Sequence, residues 1–299
     1  MAERILVVGC NGLLGQKVVQ ELSAHFGNKN VLCVSIEPRA LFSTNVPYRQ
    51  MDITKIDSVH GVIQQFKPTV VVNTAAYTNV DKAEIEKDLC WEINVTGVEN
   101  LAAAAKEAGA LLYHISTDYV FSGENGPYRE EDKPDPRGFY AKSKWAAEIA
   151  IRKMGVSYFI ARTSTLFGTG ENVRPNFVLW LISALKKNQE VTIVDDQTGN
   201  PTLADNLAEA LRVAIEKRAA GVYHLTGREA IDRYSFAHRI AKIFGLNALL
   251  IKRGKTSHLK QLAPRPMNAA FIVEKAEKEL GVHLMSVDEA LLKLKQQLG

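Results

Sequence analysis

Short apolar segments alternate with amphipathic segments through the first half of the chain. The apolar segments are near-continuous aliphatic runs, which are typical of strands covered on both faces of a parallel sheet. They are RILVVG (4–9), VLCVSIE (31–37), TVVVNTA (69–75), LLYHIST (111–117) and VSYFIART (156–163). Between them, helical spacing of apolar residues predicts helices near 13–26, 56–66, 82–107 and 140–154. The alternation predicts an α/β protein with a Rossmann-like, doubly wound parallel sheet.

The pattern becomes less regular after about residue 164. Proline and glycine interrupt the segments FGTGENVRPNF, DDQTGNPT and APRPMN. Helical spacing predicts further helices near 175–188, 204–217, 234–244, 273–280 and 286–297. We therefore expect a smaller C-terminal region that packs against the carboxyl edge of the sheet.

Composition limits the classes of function that need to be considered. The 299 residues are 46% hydrophobic and 23% charged with a net charge of +4, which is ordinary for a globular protein and gives nucleic-acid binding no electrostatic support. No apolar segment approaches the roughly 18 residues of a membrane span, and the start MAERILVVGCNG does not resemble a signal peptide. Cys10, Cys33 and Cys90 are too scattered for a disulfide framework or a metal site. We expect a cytoplasmic protein with no membrane, nucleic-acid or metal partner.

Three glycines follow the first predicted strand. The segment VVGCNGLLG places Gly9, Gly12 and Gly15 between that strand and the first helix. Gly9 permits a tight turn, Gly12 allows the backbone to approach a pyrophosphate, and Gly15 allows the helix to pack closely on the strand. The helix N-terminus then favours the phosphate charge. Such a turn also occurs without a ligand, but an acidic residue at the end of the second strand favours dinucleotide binding.

That acidic residue is Glu37. Its carboxylate can accept hydrogen bonds from the ribose hydroxyls of NAD and would repel a 2′-phosphate. Arg39 follows two residues later and offers that phosphate a cation, so NADP and NAD both remain open. Both side chains also fit as exposed loop charges.

Two further segments follow predicted strands and suit the rest of a dinucleotide. In MDI (51–53), Asp52 can accept a hydrogen bond from the adenine amino group while Ile53 packs against the ring. The small residues of NTAAY (73–77) let a cofactor lie close to the backbone. We therefore predict a dinucleotide-binding domain at 1–164 and a mainly substrate-binding region at 165–299, with a strand and helix near 191–220 returning to the first domain.

Tyr140 and Lys144 are four residues apart in FYAKSKWAAE and share one face of a predicted helix. A nearby ammonium favours a phenolate, so we expect Lys144 to lower the pKa of Tyr140 from its ordinary value near 10. The pair could then protonate a carbonyl oxygen while hydride reaches its carbon. The strand-end segment HISTDYVF adds the hydroxyl of Thr117, which could hold the developing alkoxide. Each motif also occurs by chance, but their order behind the glycine turn is more specific.

Together these segments resemble the dTDP-4-dehydrorhamnose reductase family of extended short-chain dehydrogenases/reductases, which are NAD-dependent epimerase/dehydratase-like proteins. The resemblance extends over nearly the whole chain. The matching segments are GCNGLLG, MDIT, NTAAYTNVDKAE, INVTGVENLA, ISTDYVFSG, PYREEDKPDP, YAKSKWAAE, RTSTLFG, DDQTGNPT and GVYHLTG. The resemblance implies NAD(P)H-dependent reduction of the C4 keto group of a nucleotide-linked 6-deoxy-4-keto sugar, with dTDP-L-rhamnose as the type of product.

The resemblance also implies roles for individual residues. Thr117, Tyr140 and Lys144 would be the catalytic residues. The residues that would bind the cofactor are Gly9, Asn11, Gly12, Leu13, Leu14, Gly15, Glu37, Arg39, Asp52, Ile53, Ala75, Ala76, Tyr77, Asn94, Tyr140 and Lys144. The residues that would meet the sugar nucleotide are Val80, Lys82, Thr117, Asp118, Tyr119, Tyr140 and Arg265. Arg265 suits a diphosphate as a charged fork, and it equally suits a role in pinning a loop.

Two departures from the family pattern leave the substrate open. Thr165 stands where the family commonly has tryptophan, and Ala269 replaces a serine. Two alternatives therefore stand beside the reductase: another nucleotide-sugar epimerase or reductase, and a regulatory subunit similar to the methionine adenosyltransferase β subunit. Helices near 82–107 and 140–154 could form the shared bundle of a homodimer, and a monomer is equally compatible with the sequence.

Overall fold

Seven parallel strands form the central sheet of the computed structural model, which describes residues 3–299. Numbered along the chain, the strands are β1 Ile5–Val8, β2 Val31–Ser35, β3 Tyr48–Gln50, β4 Val70–Asn73, β5 Leu111–Thr117, β6 Tyr158–Thr163, β7 Leu166–Phe167, β8 Val191–Val194, β9 Thr198–Gly199, β10 Thr202–Leu203, β11 Gly221–His224, β12 Ile231–Asp232 and β13 Ile251–Gly254. The order across the central sheet is β11-β6-β5-β4-β1-β2-β3. The predicted doubly wound α/β fold is confirmed.

Helices cover both faces of this sheet. They are α1 Leu13–Phe26, α2 Ile56–Phe66, α3 Lys87–Trp91, α4 Gly97–Glu107, α5 Phe139–Met154, α6 Phe177–Lys186, α7 Ala204–Glu216, α8 Arg233–Phe244, α9 Glu274–Leu280 and α10 Val287–Leu298. The core on one face is built with α1, α7 and α9, and the core on the other face with α2, α4 and α5. Strands between two such layers need apolar residues in both directions, which explains why they form continuous apolar runs.

The segment predicted as one helix near 82–107 is broken. A 3-10 turn at Lys82–Glu84 precedes α3, and a π turn at Glu92–Thr96 joins α3 to α4. The π turn contains Asn94, which is buried and accepts a hydrogen bond through Oδ1 from the backbone N–H of Tyr77 at 2.8 Å. Single π turns of this kind often occur at functional sites.

The second half of the chain contributes both to the central sheet and to a separate core. Helix α7 packs on the sheet beside α1, and β11 forms its edge. In contrast, β8 pairs with β13 outside the sheet, and α6, α8 and α10 surround a third core. The division at residue 164 into a dinucleotide-binding and a substrate-binding region stays a prediction.

The chain runs from β1 outward to β2 and β3 and then returns to the other side of β1 with β4. The loops that follow β1 and β4 therefore diverge at the carboxyl edge and leave a crevice between them, as is usual for ligand sites in open α/β sheets. No helix within residues 3–299 combines the length and apolar character that a membrane crossing requires.

Candidate active site

A cavity of about 950 Å³ lies along the carboxyl edge of the central sheet. Loops after β1 to β6, the start of α1 and one face of α5 form its walls. The predicted site residues that line it are Gly9, Asn11, Gly12, Leu13, Leu14, Gly15, Glu37, Asp52, Ile53, Ala75, Ala76, Val80, Thr117, Asp118, Tyr119, Tyr140 and Lys144. Residues distant in sequence thus converge on one cavity.

The glycine turn leaves space where a phosphate group would need it. Gly9 has a φ of +78°, and a Cβ there would lie 2.6 Å from the backbone N of Ala75. A Cβ at Gly15 would lie 2.2 Å from the carbonyl oxygen of Gly9, so helix α1 packs directly on the turn. At Gly12 the nearest atom would be 3.5 Å away. Helix α1 begins after Gly12 without a side-chain cap, which leaves first-turn N–H groups for an anion. These residues fit a dinucleotide pyrophosphate.

Glu37 occupies the end of the cavity next to β2. Its Oε2 accepts hydrogen bonds from Asn11 Nδ2 at 2.9 Å and from the Ser35 hydroxyl. Burial disfavours the charged carboxylate, but the hydrogen bonds from Ser35 and Asn11 outweigh that effect and lower the pKa of Glu37. The carboxylate is therefore ionised at neutral pH and held in place, which suits a ribose with free hydroxyls.

Asp52 and Ile53 line the cavity just beyond β3. Asp52 Oδ1 accepts hydrogen bonds from the backbone N–H of Thr54 at 2.9 Å and from its hydroxyl at 2.8 Å, so the carboxylate has a fixed direction. Ile53 packs against Gly97 of α4 so closely that a Cβ on Gly97 would lie 2.7 Å from Ile53 Cδ1. This packing fixes an apolar wall beside the carboxylate.

Thr117, Tyr140 and Lys144 meet where β5 ends beside α5. Burial raises the pKa of the Tyr140 phenol above its ordinary value, and a hydrogen bond with Thr117 opposes this only in part. The expectation that Lys144 lowers this pKa is therefore wrong. The physical reason is that burial dominates, and the Lys144 amine is directed to the Ile115 carbonyl at 2.7 Å and to His114 Nε2 at 3.2 Å.

Lys144 is itself strongly affected by its surroundings. Its side chain is only 2% exposed, and burial lowers its pKa from 10.5 to about 8. The carboxylate of Glu148, one helical turn further along α5, opposes this shift. Lys144 therefore changes charge close to neutral pH, where an ordinary lysine does not.

Asp118 and Tyr119 continue the wall beyond Thr117. Asp118 is buried and accepts hydrogen bonds from Ser164 Oγ at 2.5 Å and Thr117 Oγ1 at 3.0 Å. Burial raises the pKa of the Asp118 carboxyl, while these hydrogen bonds oppose the change. The ring of Tyr119 meets the ring of Tyr140 edge-on, with 5.8 Å between centroids. These contacts fix the side chains next to the phenol.

The structure does not bring five of the predicted site residues to the cavity wall, each for a physical reason. Arg39 is exposed on the loop after β2, and Lys82 is 64% exposed beside Glu86. The Tyr77 phenol donates to Glu86 Oε2. Asn94 instead bridges the backbone of Tyr77 to the Ser143 hydroxyl of α5, and so supports the wall from behind. Arg265 Nη2 pairs with Asp81 Oδ2 at 2.8 Å, as expected of a residue that pins a loop.

Sequence reasoning missed several residues on the far side of the cavity. Arg233 begins α8; its Nε donates to Gln197 Oε1 at 3.0 Å, and its guanidinium lies 5.5 Å from the centroid of the Phe177 ring. Within residues 3–299 neither Arg233 nor Arg174 has a carboxylate partner within 4 Å, although both line the cavity. Ser164, Asn176 and Phe177 line it as well. The segments around these residues contain no periodic spacing or motif that would have identified them.

The two departures from the family pattern also lie here. Thr165 lines the cavity and has a φ of +31°, a conformation unusual for a β-branched residue. Ala269 is buried and lines a small adjoining cleft together with Asp118 and Arg233. Thr165 therefore leaves space in the cavity that a tryptophan would fill, and Ala269 leaves space in the adjoining cleft.

Other chemistry is not evident among the described residues. Between residues 3 and 299, no group of three or more histidine, cysteine or acidic side chains is arranged to hold a metal ion. Cys10, Cys33 and Cys90 are buried free thiols.

Comparison with known proteins relates the whole chain to one family. Residues 3–298 match the family described as RmlD substrate binding domain. A dTDP-4-dehydrorhamnose reductase from Aggregatibacter actinomycetemcomitans is 33% identical over 96% of this chain and 97% of its own length. The crystal structure of a dTDP-4-dehydrorhamnose reductase from Bacillus anthracis in complex with NADP is 31% identical and superimposes with a TM-score of 0.87, covering 99% of this chain and 100% of that chain.

A relative of a different kind is similar at almost the same level. The methionine adenosyltransferase 2 subunit beta of Pongo abelii is 32% identical over 92% of this chain and 81% of its own length. The family match spans nearly every residue, and the reductases match the sequence and the fold alike. The chain therefore belongs to the dTDP-4-dehydrorhamnose reductase family.

Proposed function

We propose that this protein is an NAD(P)H-dependent oxidoreductase that reduces the C4 keto group of a nucleotide-linked 6-deoxy-4-keto sugar, as in the conversion of dTDP-4-dehydrorhamnose to dTDP-L-rhamnose. The observation that carries the proposal is the convergence of Thr117, Tyr140 and Lys144 in the cavity that also contains the glycine turn. The proton donor, the hydroxyl and the cation thus line the same cavity as a dinucleotide-binding turn. This combination is what carbonyl reduction requires.

A bound NADPH or NADH supplies the hydride. Tyr140 donates its phenolic proton to the keto oxygen, because burial keeps the phenol protonated at neutral pH. Thr117 Oγ1 is held at the end of β5, where its hydroxyl donates to Asp118 Oδ1 at 3.0 Å; to orient the keto oxygen, the hydroxyl turns its one proton from Asp118 to that oxygen. Lys144 in its ammonium form stabilises the phenolate that remains. Asn94 keeps the start of the loop after β4 against α5.

The cofactor is NADP or NAD. The glycine turn and α1 suit the pyrophosphate, Asp52 and Ile53 suit adenine, and Ala75 and Ala76 leave room beside the nicotinamide. The ionised Glu37 carboxylate favours NAD, while the relative from Bacillus anthracis has NADP bound. Titration of the free protein with each reduced cofactor, followed by cofactor fluorescence, determines the preference.

The substrate side of the cavity suits a sugar joined to a diphosphate. Val80, Asp118 and Tyr119 line the part next to Tyr140. We propose that Arg233, rather than Arg265, meets the diphosphate, because its terminal nitrogens have no protein acceptor while Arg265 is paired with Asp81. Thr165 leaves this part of the cavity wider than the family pattern implies, and Ala269 does the same in the adjoining cleft, so a sugar other than 4-dehydrorhamnose is compatible with the same chemistry.

An assay of turnover with a reduced cofactor and a keto sugar tests the proposal. Purified protein is mixed with NADPH or NADH and a dTDP-4-keto-6-deoxy sugar, and cofactor oxidation is followed by absorbance. The expected result is oxidation that depends on both the protein and the keto sugar. If oxidation stays at background for dTDP-linked and other nucleotide-linked keto sugars alike, the reductase proposal is wrong.

A second candidate is a regulatory subunit that binds a dinucleotide without turnover. The similarity to methionine adenosyltransferase 2 subunit beta favours it, because that relative matches over most of the chain. Cofactor binding without oxidation, combined with a change in the rate of a methionine adenosyltransferase mixed with this protein, would support the regulatory role. The retained Thr117, Tyr140 and Lys144 favour the enzyme.

We further propose that the protein works in the cytoplasm and that it forms a homodimer. The three buried free thiols support a reducing compartment. Sedimentation of the purified protein at several concentrations measures the oligomeric state directly.

A further inference from the structure

A buried row of polar groups runs from β4 through β5 to Lys144. Asn73 ends β4 and is the register partner of His114 on β5, so the two side chains lie next to each other in the sheet. The exposed fractions of Asn73, His114 and Lys144 are 1%, 0% and 2%. These side chains are almost fully buried, so most of their hydrogen bonds must be made with neighbouring protein groups.

The backbone fixes one end of this row. The N–H of Ala75 donates to Asn73 Oδ1 at 3.0 Å, and therefore the amide nitrogen of Asn73 faces His114 Nδ1 at 3.2 Å. An amide nitrogen is only a donor, so Nδ1 must accept. In a neutral imidazole the proton then resides on Nε2. Burial lowers the pKa of His114 well below its ordinary value and so keeps the ring neutral; a positive charge on Lys144 lowers this pKa further, and the ring is neutral with either form of Lys144.

The other end of the row is Lys144. His114 Nε2 lies 3.2 Å from Lys144 Nζ, and Nζ donates to the Ile115 carbonyl at 2.7 Å. If Nε2 carries the proton, it donates to the lone pair of a neutral amine, and every group from Ala75 to Ile115 has a partner. An ammonium at Lys144 has no lone pair, so it would face the Nε2–H of His114 with donor against donor. If the proton of His114 moved to Nδ1 to avoid this, Nδ1–H would face the amide nitrogen of Asn73, which is also a donor. The neutral amine is thus the form that completes the row.

We propose that Asn73 and His114 are positioning residues that set the protonation of Lys144: Asn73 holds His114 as the Nε2–H tautomer, and this N–H stabilises the neutral amine of Lys144. The catalytic meaning of this inference rests on the proposed function, in which Lys144 acts as an ammonium beside Tyr140. Lys144 then has both forms available near neutral pH, and binding or chemistry in the cavity decides between them.

Other groups around Lys144 act on its charge and must be separated from this effect. Glu148 on α5 and the thiol of Cys90 on α3 favour the ammonium, and Arg162 on β6 is paired with Glu148. Tyr140 lies one turn earlier on α5 and shares the cavity wall. Among these groups, only His114 on β5 can either donate a hydrogen bond to Lys144 or accept one from it. The tautomer of His114 determines which of the two it does.

Nuclear magnetic resonance of the free protein labelled with 15N-histidine and 15N-lysine tests the proposal. In the unaltered protein we expect His114 to carry its proton on Nε2. In Asn73→Asp, the carboxylate should draw the proton to Nδ1, and the titration midpoint of Lys144 should rise by about one pH unit or more. The Lys144 signal is identified by its loss in Lys144→Arg.

Asn73→Ala separates the tautomer from simple charge attraction, because it removes the donor to Nδ1 without adding a carboxylate. We expect the Lys144 midpoint to rise in this variant as well. Asn206→Asp is the matched control: Asn206 is a buried asparagine on α7, bonded to the backbone of His283 and Met285, and this variant should change neither signal. A proton on Nδ1 in the unaltered protein, or an unchanged midpoint in Asn73→Ala, would overturn the proposal.

These readings need no turnover, so they are independent of whether the reductase proposal is correct. If the protein reduces a keto sugar, a kinetic reading follows. Activity should decline as the pH rises through the pKa of Lys144, because the ammonium is lost, and this decline should move to higher pH in Asn73→Ala. A purely structural role for Asn73 would lower the rate without moving the pH profile.

Discussion

Glu148 and Arg162 form a buried, two-point pair beneath the proposed active site. Glu148 Oε2 lies 2.9 Å from Arg162 Nη2, and Glu148 Oε1 lies 3.0 Å from Arg162 Nε. Their side chains are 0% and 2% exposed. Because Glu148 follows Lys144 by one turn of α5, and Arg162 is on β6, the pair anchors the helix that presents Tyr140 and Lys144.

Glu148→Gln should therefore destabilise the protein by about 3–5 kcal/mol, since it leaves Arg162 buried without its counter-charge. Burial opposes ionisation of Glu148, but Arg162 outweighs it and holds the pKa of Glu148 below 4.5. The pair thus contributes its full stability above pH 4.5 and loses it as the pH falls through the lower, folded-state pKa. Urea unfolding at several pH values should show the difference between the variant and the unaltered protein shrinking in acid.

Arg152 provides the comparison for that experiment. It donates to the same carboxylate at 2.9 Å but is 30% exposed. Arg152→Gln should cost only about 1 kcal/mol or less, because solvent screens the pair. If Glu148→Gln and Arg152→Gln lowered the free energy of unfolding equally, burial would not be what makes the Glu148–Arg162 pair important for stability.

Tyr140→Phe should lower kcat by about 100-fold to 10,000-fold, because it removes the proposed proton donor. Affinity for the reduced cofactor should change little, since the ring is retained. Stopped-flow absorbance gives the rate, and fluorescence titration gives the affinity. Tyr119→Phe removes a neighbouring phenol from the same cavity and should retain most of kcat; similar losses in the two variants would remove the special role of Tyr140.

Alanine substitutions at two glycines of the turn should affect different properties, protein stability at Gly15 and cofactor affinity at Gly12. Gly15→Ala should destabilise the protein by about 1–3 kcal/mol or more, because its Cβ would meet the Gly9 carbonyl and no side chain can rotate away. Gly12→Ala should leave the thermal midpoint unchanged but weaken dinucleotide binding by about tenfold, equivalent to about 1.4 kcal/mol. Calorimetry and cofactor titration measure the two effects.

Gly61 provides the control for added methyl groups. It lies within α2 with no atom within 4 Å of a Cβ built there. Gly61→Ala should stabilise the protein by about 0.5–1 kcal/mol through helix propensity and should leave cofactor binding unaffected. Loss of cofactor affinity in this variant would indicate a general effect of substitution.

Arg233→Gln should raise KM for the nucleotide sugar about tenfold or more, because a hydrogen bond to a charged group contributes about 1.5–3 kcal/mol. Affinity for the cofactor should stay the same. Initial rates over a range of sugar concentrations give KM and kcat separately. Arg228→Gln changes a surface arginine that pairs with Glu277 and should affect neither; an unchanged KM in Arg233→Gln would exclude the proposed diphosphate contact.

Sequence patterns predicted the elements closely where one physical cause dominates. The apolar runs became strands because helices cover both faces of the sheet, and α1 and α2 begin and end where helical spacing predicted them. The glycine turn and the Tyr140–Lys144 pair were also predictable, because their spacing alone puts them on one turn or one helix face.

The remaining features depend on partners that are distant in sequence. Burial of Tyr140 reverses the expected direction of its pKa shift. Asp81, which is distant from Arg265 in sequence, forms an ion pair with it. Arg233 reaches the cavity because α8 begins beside Gln197, which no periodic pattern indicates. The π turn that contains Asn94 interrupts an otherwise continuous helical pattern.

The return of α7 and β11 to the central sheet has a consequence for any attempt to express the first half alone. A fragment ending at residue 164 would lose the helix that shields Tyr113 and Phe159 and would expose β6 as an open edge. Such a truncated chain would present unpaired amide groups and aromatic surface to its neighbours and would self-associate. Cofactor binding therefore depends on both halves of the chain, and any shorter fragment made for screening should retain α7 and β11.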